Sequence, residues 1–207
     1  MEFLGILMNK DYLSNLTFGA TFLNLTIVGI CSLNISDTFL TVVRLGAIIC
    51  NFLMGIILIL NNSSKAKYSP LYKPYWLGMI FCNILIVKMI KISYPVAHIA
   101  LLYVIGFIIV MLSLFSLGHS FAVTPMLSKI KTHYIYRFVR HPMYLGESIM
   151  LFSCVVASET IISMLVFFLY LTNMVLRIQE EEKLLLQTDE YKGYCTKTRW
   201  KLFPYVW

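Results

Sequence analysis

The sequence is poor in charge. Only 13% of its 207 residues are Asp, Glu, Lys or Arg, while 59% are apolar. A soluble domain carries about 25% charged residues, so the shortfall places the chain among membrane proteins before any motif is read. Cysteine pairs are lacking too. Cys31, Cys50, Cys82, Cys154 and Cys195 form no CxxC, and four of the five lie in apolar runs, where a thiol serves as a small core residue. A disulfide framework and a zinc site are both disfavoured. His98, His119, His133 and His141 show no ligand spacing, so no metal is expected. There is no GxGxxG, P-loop, HExxH or GxSxG motif, which removes the sites those motifs build. Met1 to Lys10 has neither a basic n-region nor a small-residue cleavage site, so no secretory signal is evident. The net charge of +7 raises the question of nucleic acid. In a membrane chain, however, basic residues first record topology, and no nucleic-acid partner is expected.

Long apolar runs are what the sequence has in their place. A spanning helix needs about 20 mostly apolar residues, and six candidate runs occur at 16–33, 39–60, 75–90, 96–117, 143–157 and 160–176. The expectation is an all-α polytopic membrane bundle of five or six transmembrane segments. Residues 1–118 would be scaffold and 119–207 a catalytic half made of a cytoplasmic loop, a helical hairpin and a C-terminal amphipathic segment. The hairpin is read from Ser158 and Glu159, which alone separate the last two runs; both arms look short enough to lean on neighbouring protein. Six crossings put both termini on one side. All of the 17 Lys and Arg residues except Arg44, Lys88 and Lys91 then fall on that side. Positive residues mark the cytoplasmic face, so both termini and the site should be cytoplasmic, in a bacterial inner membrane or the endoplasmic reticulum. Lys88 and Lys91 read as side chains snorkelling from the end of the third run.

Two polar clusters interrupt this pattern, both in the second half. The first runs from Lys131 to Glu147 and packs Arg137, Arg140, His141 and three tyrosines into the approach to a membrane helix. Pro142 suits a first helical turn and biases His141 away from helical geometry. Taken alone, the cluster fits an interfacial belt as well as a site. Glu147 is an acid inside an apolar run, a costly placement that calls for a partner; Arg140 and His141 are the candidates. The second cluster is Arg177-Ile-Gln-Glu-Glu-Glu-Lys-Leu-Leu-Leu186. Arg177 and Glu181 are four apart and share a helix face, a pairing suited to a zwitterion. Leu184, Leu185 and Leu186 should bury. The basic, aromatic tail from Asp189 to Trp207 suits either the membrane surface or a cover over the two clusters.

These clusters resemble the integral membrane methyltransferases that include isoprenylcysteine carboxyl methyltransferase and the phospholipid N-methyltransferases. The resemblance rests on Leu117-Gly-His-Ser-Phe121, Tyr136, Arg140-His-Pro-Met-Tyr-Leu-Gly146, Arg177 with the glutamates at 180–182, Tyr191 with Tyr194, and Lys201-Leu-Phe-Pro204. The elements stand in the family's order over roughly the last 90 residues. Two departures occur. Ser128 to His133 replaces a hydrophobic stretch ending in Val and Gly, and Gln187-Thr188-Asp189 replaces a Phe-Gly. The register of the glutamate pair is open by one, with Glu181 in the pair either way.

The resemblance implies S-adenosyl-L-methionine as cofactor, touched by His141, Pro142, Met143, Tyr144, Tyr136 and Glu181. It places Arg177 at the substrate's acidic group and makes the chain around Ser128–Lys131 a cover. The residues agree in type: a carboxylate meets an amino group or ribose hydroxyls, and an aromatic face suits adenine or a sulfonium cation. The expected partners are membrane lipids and a lipophilic or lipidated acceptor from the bilayer. An isoprenylcysteine-like carboxyl or a thiol comes first among acceptors, with Arg177 and Glu147 as catalytic residues. A phospholipid amine is the alternative, for which Glu147 would serve as base. A scaffold of the same fold without turnover is a further reading. A small transporter would need polar residues at mid-depth in several helices, and the first four runs contain few.

Overall fold

The computed structural model describes residues 10–31, 38–60, 75–90, 97–118, 131–204 and 206–207. Readings that fall on Met1 to Asn9, Asn61 to Pro74, Lys91 and His119 to Ile130 lie outside these residues, including most of the expected cover. Among the described residues every regular element is helical: α1 Lys10–Cys31, α2 Thr38–Leu60, α3 Tyr75–Lys88, α4 Ala97–Leu117, a 3-10 turn at Tyr134–Arg137, α5 Pro142–Ser158, α6 Ile161–Leu185 and α7 Asp189–Lys197.

The helices follow the apolar runs because a buried backbone in lipid must satisfy its own hydrogen bonds. Phe39–Leu60, Ala97–Leu117 and Ile161–Leu185 are long and apolar enough to cross a membrane, and Leu16–Cys31, Leu77–Lys88 and Pro142–Ser158 are shorter apolar helices. Phe81, Phe115, Leu165 and Phe168 stand on their outer faces, well exposed, as lipid-facing side chains should be. The hairpin between α5 and α6 turns where expected. Glu159 takes a left-handed φ of 52°, and Thr160 caps α6 by accepting from the Ser163 amide.

The expectation of a short second arm fails. α6 runs for 25 residues, straight through the polar cluster to Leu185. Hydropathy falls at Arg177, but Arg, Gln, Glu, Lys and Leu are all strong helix formers, and nothing there ends the helix. The leucines after it divide: Leu184 is buried and Leu186 is exposed.

The bundle is built from close helix pairs: α1 on α2, α4 on α5, and α3 on α6, with α5 also touching α3 and α6. The α4–α5 pair depends on two facing glycines. A Cβ on Gly106 would lie 2.7 Å from the Gly146 carbonyl, and one on Gly146 would lie 2.7 Å from the Gly106 carbonyl. The glycine of the Arg-His-Pro segment is therefore a helix-contact residue. Among the described residues α2 and α3 do not form a packed pair, which leaves a cleft between them. One core cluster joins Phe39, Val43, Ile86 and Tyr103 to Tyr144, Leu151 and Tyr170, so the scaffold and the second half share a core.

The C-terminal chain returns to the head of α5. The amides of Arg140 and His141 donate to the carbonyls of Trp200 and Lys201, and the Lys201 and Leu202 amides both donate to the Trp207 carbonyl. Lys201 lies over the Trp207 ring. This strap, with α7, fixes the segment that carries the first polar cluster.

Candidate active site

His141 sits just before α5 with φ −124° and ψ 58°, outside helical geometry, and Pro142 opens the helix. The imidazole thereby points toward the end of α6 and not along α5. Two adjacent glutamates meet it there. Glu182 is 4% exposed. Its carboxylate accepts from Arg140 at 2.6 Å, contacts His141 Nε2 at 3.0 Å and accepts from the Tyr191 hydroxyl at 2.6 Å. Arg140 also reaches the Arg199 carbonyl and the Cys195 thiol. Glu182 thus ties α6, α7, the strap and the head of α5 together. Burial, then the bond to Glu182, raises the Tyr191 phenol well above its ordinary range, so it stays a donor. Burial likewise pushes Tyr194 up to about 12, and its hydroxyl donates to the Tyr136 carbonyl.

Glu181 is arranged differently. It accepts from the Tyr144 hydroxyl at 2.5 Å and from Arg177 Nε at 3.1 Å, and it lies 3.8 Å from His141 Nδ1. Arg177 stands over the Tyr144 ring at 5.3 Å, a cation–π contact. The Tyr144 ring in turn stacks on His141 at 5.8 Å. Tyr136 is buried beside this group; burial, then Tyr194 and Glu181, push its phenol upward.

A cavity of about 490 Å³ adjoins the cluster on its membrane side. Met143, Tyr144, Glu147, Tyr170 and Arg177 line this end, and α1, α2 and α3 supply much of the rest of the wall. Tyr144 and Arg177 therefore belong both to the polar cluster and to the apolar cavity. The volume lies within the range for small-molecule sites.

The structure gathers Tyr136, His141, Tyr144, Arg177 and Glu181 into one cluster. Met143 and Glu147 lie in the cavity wall, and Pro142 is buried at the helix start. It puts Glu181 and Glu182 to work together, while Glu180 pairs outward with Lys183. The expected partners of Glu147 are wrong: Arg140 and His141 precede α5 and turn to Glu182, whereas Glu147 points into the bundle, 3.5 Å from the Tyr170 hydroxyl on α6. Sequence reasoning missed Tyr170 and the anchoring role of Glu182. A lone tyrosine in an apolar run was the only signal for Tyr170. Among the described residues no group of three or more His, Cys, Asp or Glu could hold a metal ion.

A helical membrane bundle whose internal cavity ends on a polar cluster defines the broad class of this protein. Residues 96–189 match the family model of the phospholipid methyltransferases, and this segment of the chain is similar to that family. The match runs from the head of α4 to the first residue of α7 and takes in both clusters. No curated protein matches the chain.

Proposed function

We propose that the protein transfers a methyl group from S-adenosylmethionine to a lipophilic acceptor that reaches the cavity from the bilayer. The observation that carries this reading is the shared wall: Tyr144 and Arg177 face both the polar cluster and the cavity. We also place the cluster and both termini on the cytoplasmic side, from the Lys and Arg distribution.

The residues fit the cofactor. Among the described residues, Arg140 Nε is a buried donor with no hydrogen-bond partner, suited to a carboxylate. Glu181 offers the opposite charge, and the Tyr144 and His141 rings offer flat faces. When bound, the cofactor supplies an electrophilic methyl on a cationic sulfur. The protein's task is alignment and exclusion of water, which can supply about 7–11 kcal/mol of the barrier. Tyr136, Pro142 and Met143 would wall the cofactor, and Arg177, held by Glu181, would orient the acceptor.

Two acceptor chemistries use these groups differently. A prenylcysteine-like carboxylate, or a thiolate, is already a nucleophile and needs only Arg177 to orient it. An amine headgroup must lose a proton, and the carboxylate of Glu147 in the same cavity is placed to take it. The position of Glu147 is the specific observation favouring an amine. Glu147→Gln separates the two: turnover on an amine lipid should fall at least about a hundredfold, while turnover on a prenylcysteine analogue should change little, at matched amounts of folded protein. Turnover left nearly unchanged by Glu147→Gln would instead assign the carboxylate reading.

The cofactor itself is tested by calorimetry on detergent-purified protein. S-adenosylmethionine should bind, and Glu181→Ala should abolish binding. Absence of binding by folded protein, repeated in lipid nanodiscs, would overturn the methyltransferase reading.

A further inference from the structure

Apolar side chains left in the open are expected on helices that face lipid and need a reason elsewhere. Among the described residues, the exposed large apolar side chains outside α1 to α6 are Tyr134, Phe138, Leu186, Phe203 and Val206. All but Leu186 lie in two stretches, 134–138 and 203–206, that flank the head of α5. Tyr134 is 78% exposed and Val206 79%, so neither is tucked against the bundle. Tyr134 also holds a left-handed φ of 55°, a costly conformation for an aromatic residue.

Cations stand beside them. Thr198 Oγ1 donates to the Arg137 carbonyl at 3.3 Å, Arg140 Nη2 donates to the Arg199 carbonyl at 3.1 Å, and the Arg140 amide donates to the Trp200 carbonyl at 2.9 Å. The chain from Arg137 to Arg140 therefore runs alongside the chain from Thr198 to Trp200. Thr198 is buried with an extended backbone, which turns its neighbours outward. Lys197 and Arg199 are accordingly exposed, as are Arg137 and Phe138, and the Arg137 guanidinium lies 5.5 Å from the centre of the Phe138 ring. Among the described residues none of Arg137, Lys197 and Arg199 is in an ion pair. The exposed acids of α7, Asp189 and Glu190, stand in its first turn, about 12 Å along the axis from Lys197, and Asp189 is paired with Lys192.

The bundle sets the depth of this surface. Pro142 opens an apolar helix directly after His141, and Tyr144, at its start, meets Glu181, just past the apolar stretch of α6. The surface thus lies where the apolar helices end, at headgroup depth. Aromatic and basic side chains together suit that depth, and cations without acids suit anionic headgroups. A record of topology would account for the cations, but not for the exposed apolar side chains set among them.

We propose that Arg137, Lys197 and Arg199, with Tyr134, Phe138 and the Phe203–Val206 turn, form a surface for anionic phospholipid, and that lipid bound there clamps the strap and α7 onto the head of α5. The cations would take phosphate oxygens, and the apolar side chains would meet the upper carbons of the acyl chains. The clamp bears on the site because the same strap holds Arg140, the partner of Glu182, through the Arg199 and Trp200 carbonyls.

The test uses purified full-length protein in a neutral maltoside detergent, with short-chain phosphatidylglycerol as probe and phosphatidylcholine of the same chains as control. Each cation near an anionic surface contributes about fivefold, so phosphatidylglycerol should bind at least about tenfold more tightly. The triple variant Arg137→Gln, Lys197→Gln, Arg199→Gln should erase that preference, and Arg137→Lys, Lys197→Arg, Arg199→Lys should keep it. Phe138→Ser with Val206→Ser should weaken both lipids by a similar factor and leave their ratio unchanged; it keeps the test open if the triple variant fails to fold. In lipid nanodiscs the unfolding midpoint should rise when phosphatidylglycerol replaces part of the phosphatidylcholine, in the wild type and not in the triple variant. Equal binding of the two lipids, a preference kept by a folded triple variant, or a midpoint indifferent to phosphatidylglycerol would each overturn the proposal. Polyglutamate binding as tightly as phosphatidylglycerol would also overturn it and assign the surface to an acidic protein. Neither readout uses S-adenosylmethionine, so this proposal and the methyl-transfer reading stand or fall separately.

Discussion

Glu181 and Glu182 are neighbours on α6, yet their surroundings serve different ends. Glu182 is buried and held by Arg140, His141 and Tyr191, residues from two separate parts of the chain. Glu181 is held by Tyr144 and Arg177, side chains that also line the cavity. Successive helical positions point about 100° apart, so one glutamate faces the strap and α7 while the next faces the head of α5. The first arrangement closes a structure. The second presents charge and an aromatic face to whatever enters. The contrast teaches that a polar cluster in this fold has a supporting half and a working half, and that one helical step separates them.

The sharpest way to break the comparison is Glu182→Ala. It leaves the Arg140 guanidinium and His141 buried without their acid. Removing one member of a buried pair costs about 3–5 kcal/mol, so the unfolding midpoint in detergent should fall steeply and cofactor binding should fall with it. Glu181→Ala should do the opposite. Its partners lie beside the cavity, and the stability lost should be about 1–2 kcal/mol, while S-adenosylmethionine binding disappears. If Glu181→Ala unfolds the protein as severely as Glu182→Ala, the division into supporting and working halves is wrong.

Parts of this arrangement were legible in the sequence because they are local. The four-residue spacing of Arg177 and Glu181 gave their ion pair, Pro142 gave the turn of His141 out of the helix, and Ser158-Glu159 gave the hairpin. What was not legible is set by chain returns and neighbouring helices. The strap from Arg199 to Trp207 decides that Arg140 and His141 meet Glu182, and no spacing within the first cluster contains that information. Glu147 meets Tyr170 because α5 and α6 are adjacent, a tertiary fact. The length of α6 was misjudged because hydropathy measures what a lipid tolerates, whereas a helix continues as long as its backbone bonds do.

The smallest effect is the most discriminating about the supporting half. Tyr191→Phe removes one of the three donors to Glu182 and leaves Arg140 and His141 in place. The cost should be about 1 kcal/mol, read as a modest drop in the unfolding midpoint with cofactor binding kept. Its pH dependence has a definite sign. The folded-state pKa of Tyr191 is raised above the ordinary 10.0, by burial first and then by Glu182. A group raised in this way contributes its full stability below the unfolded pKa and loses it as pH rises toward the folded value. The difference between the wild type and Tyr191→Phe should therefore be constant from about pH 6 to 9 and shrink above about pH 10. A difference that instead grew above pH 10 would mean that the phenol does not serve as the donor to Glu182, and the supporting half would then rest on Arg140 and His141 alone.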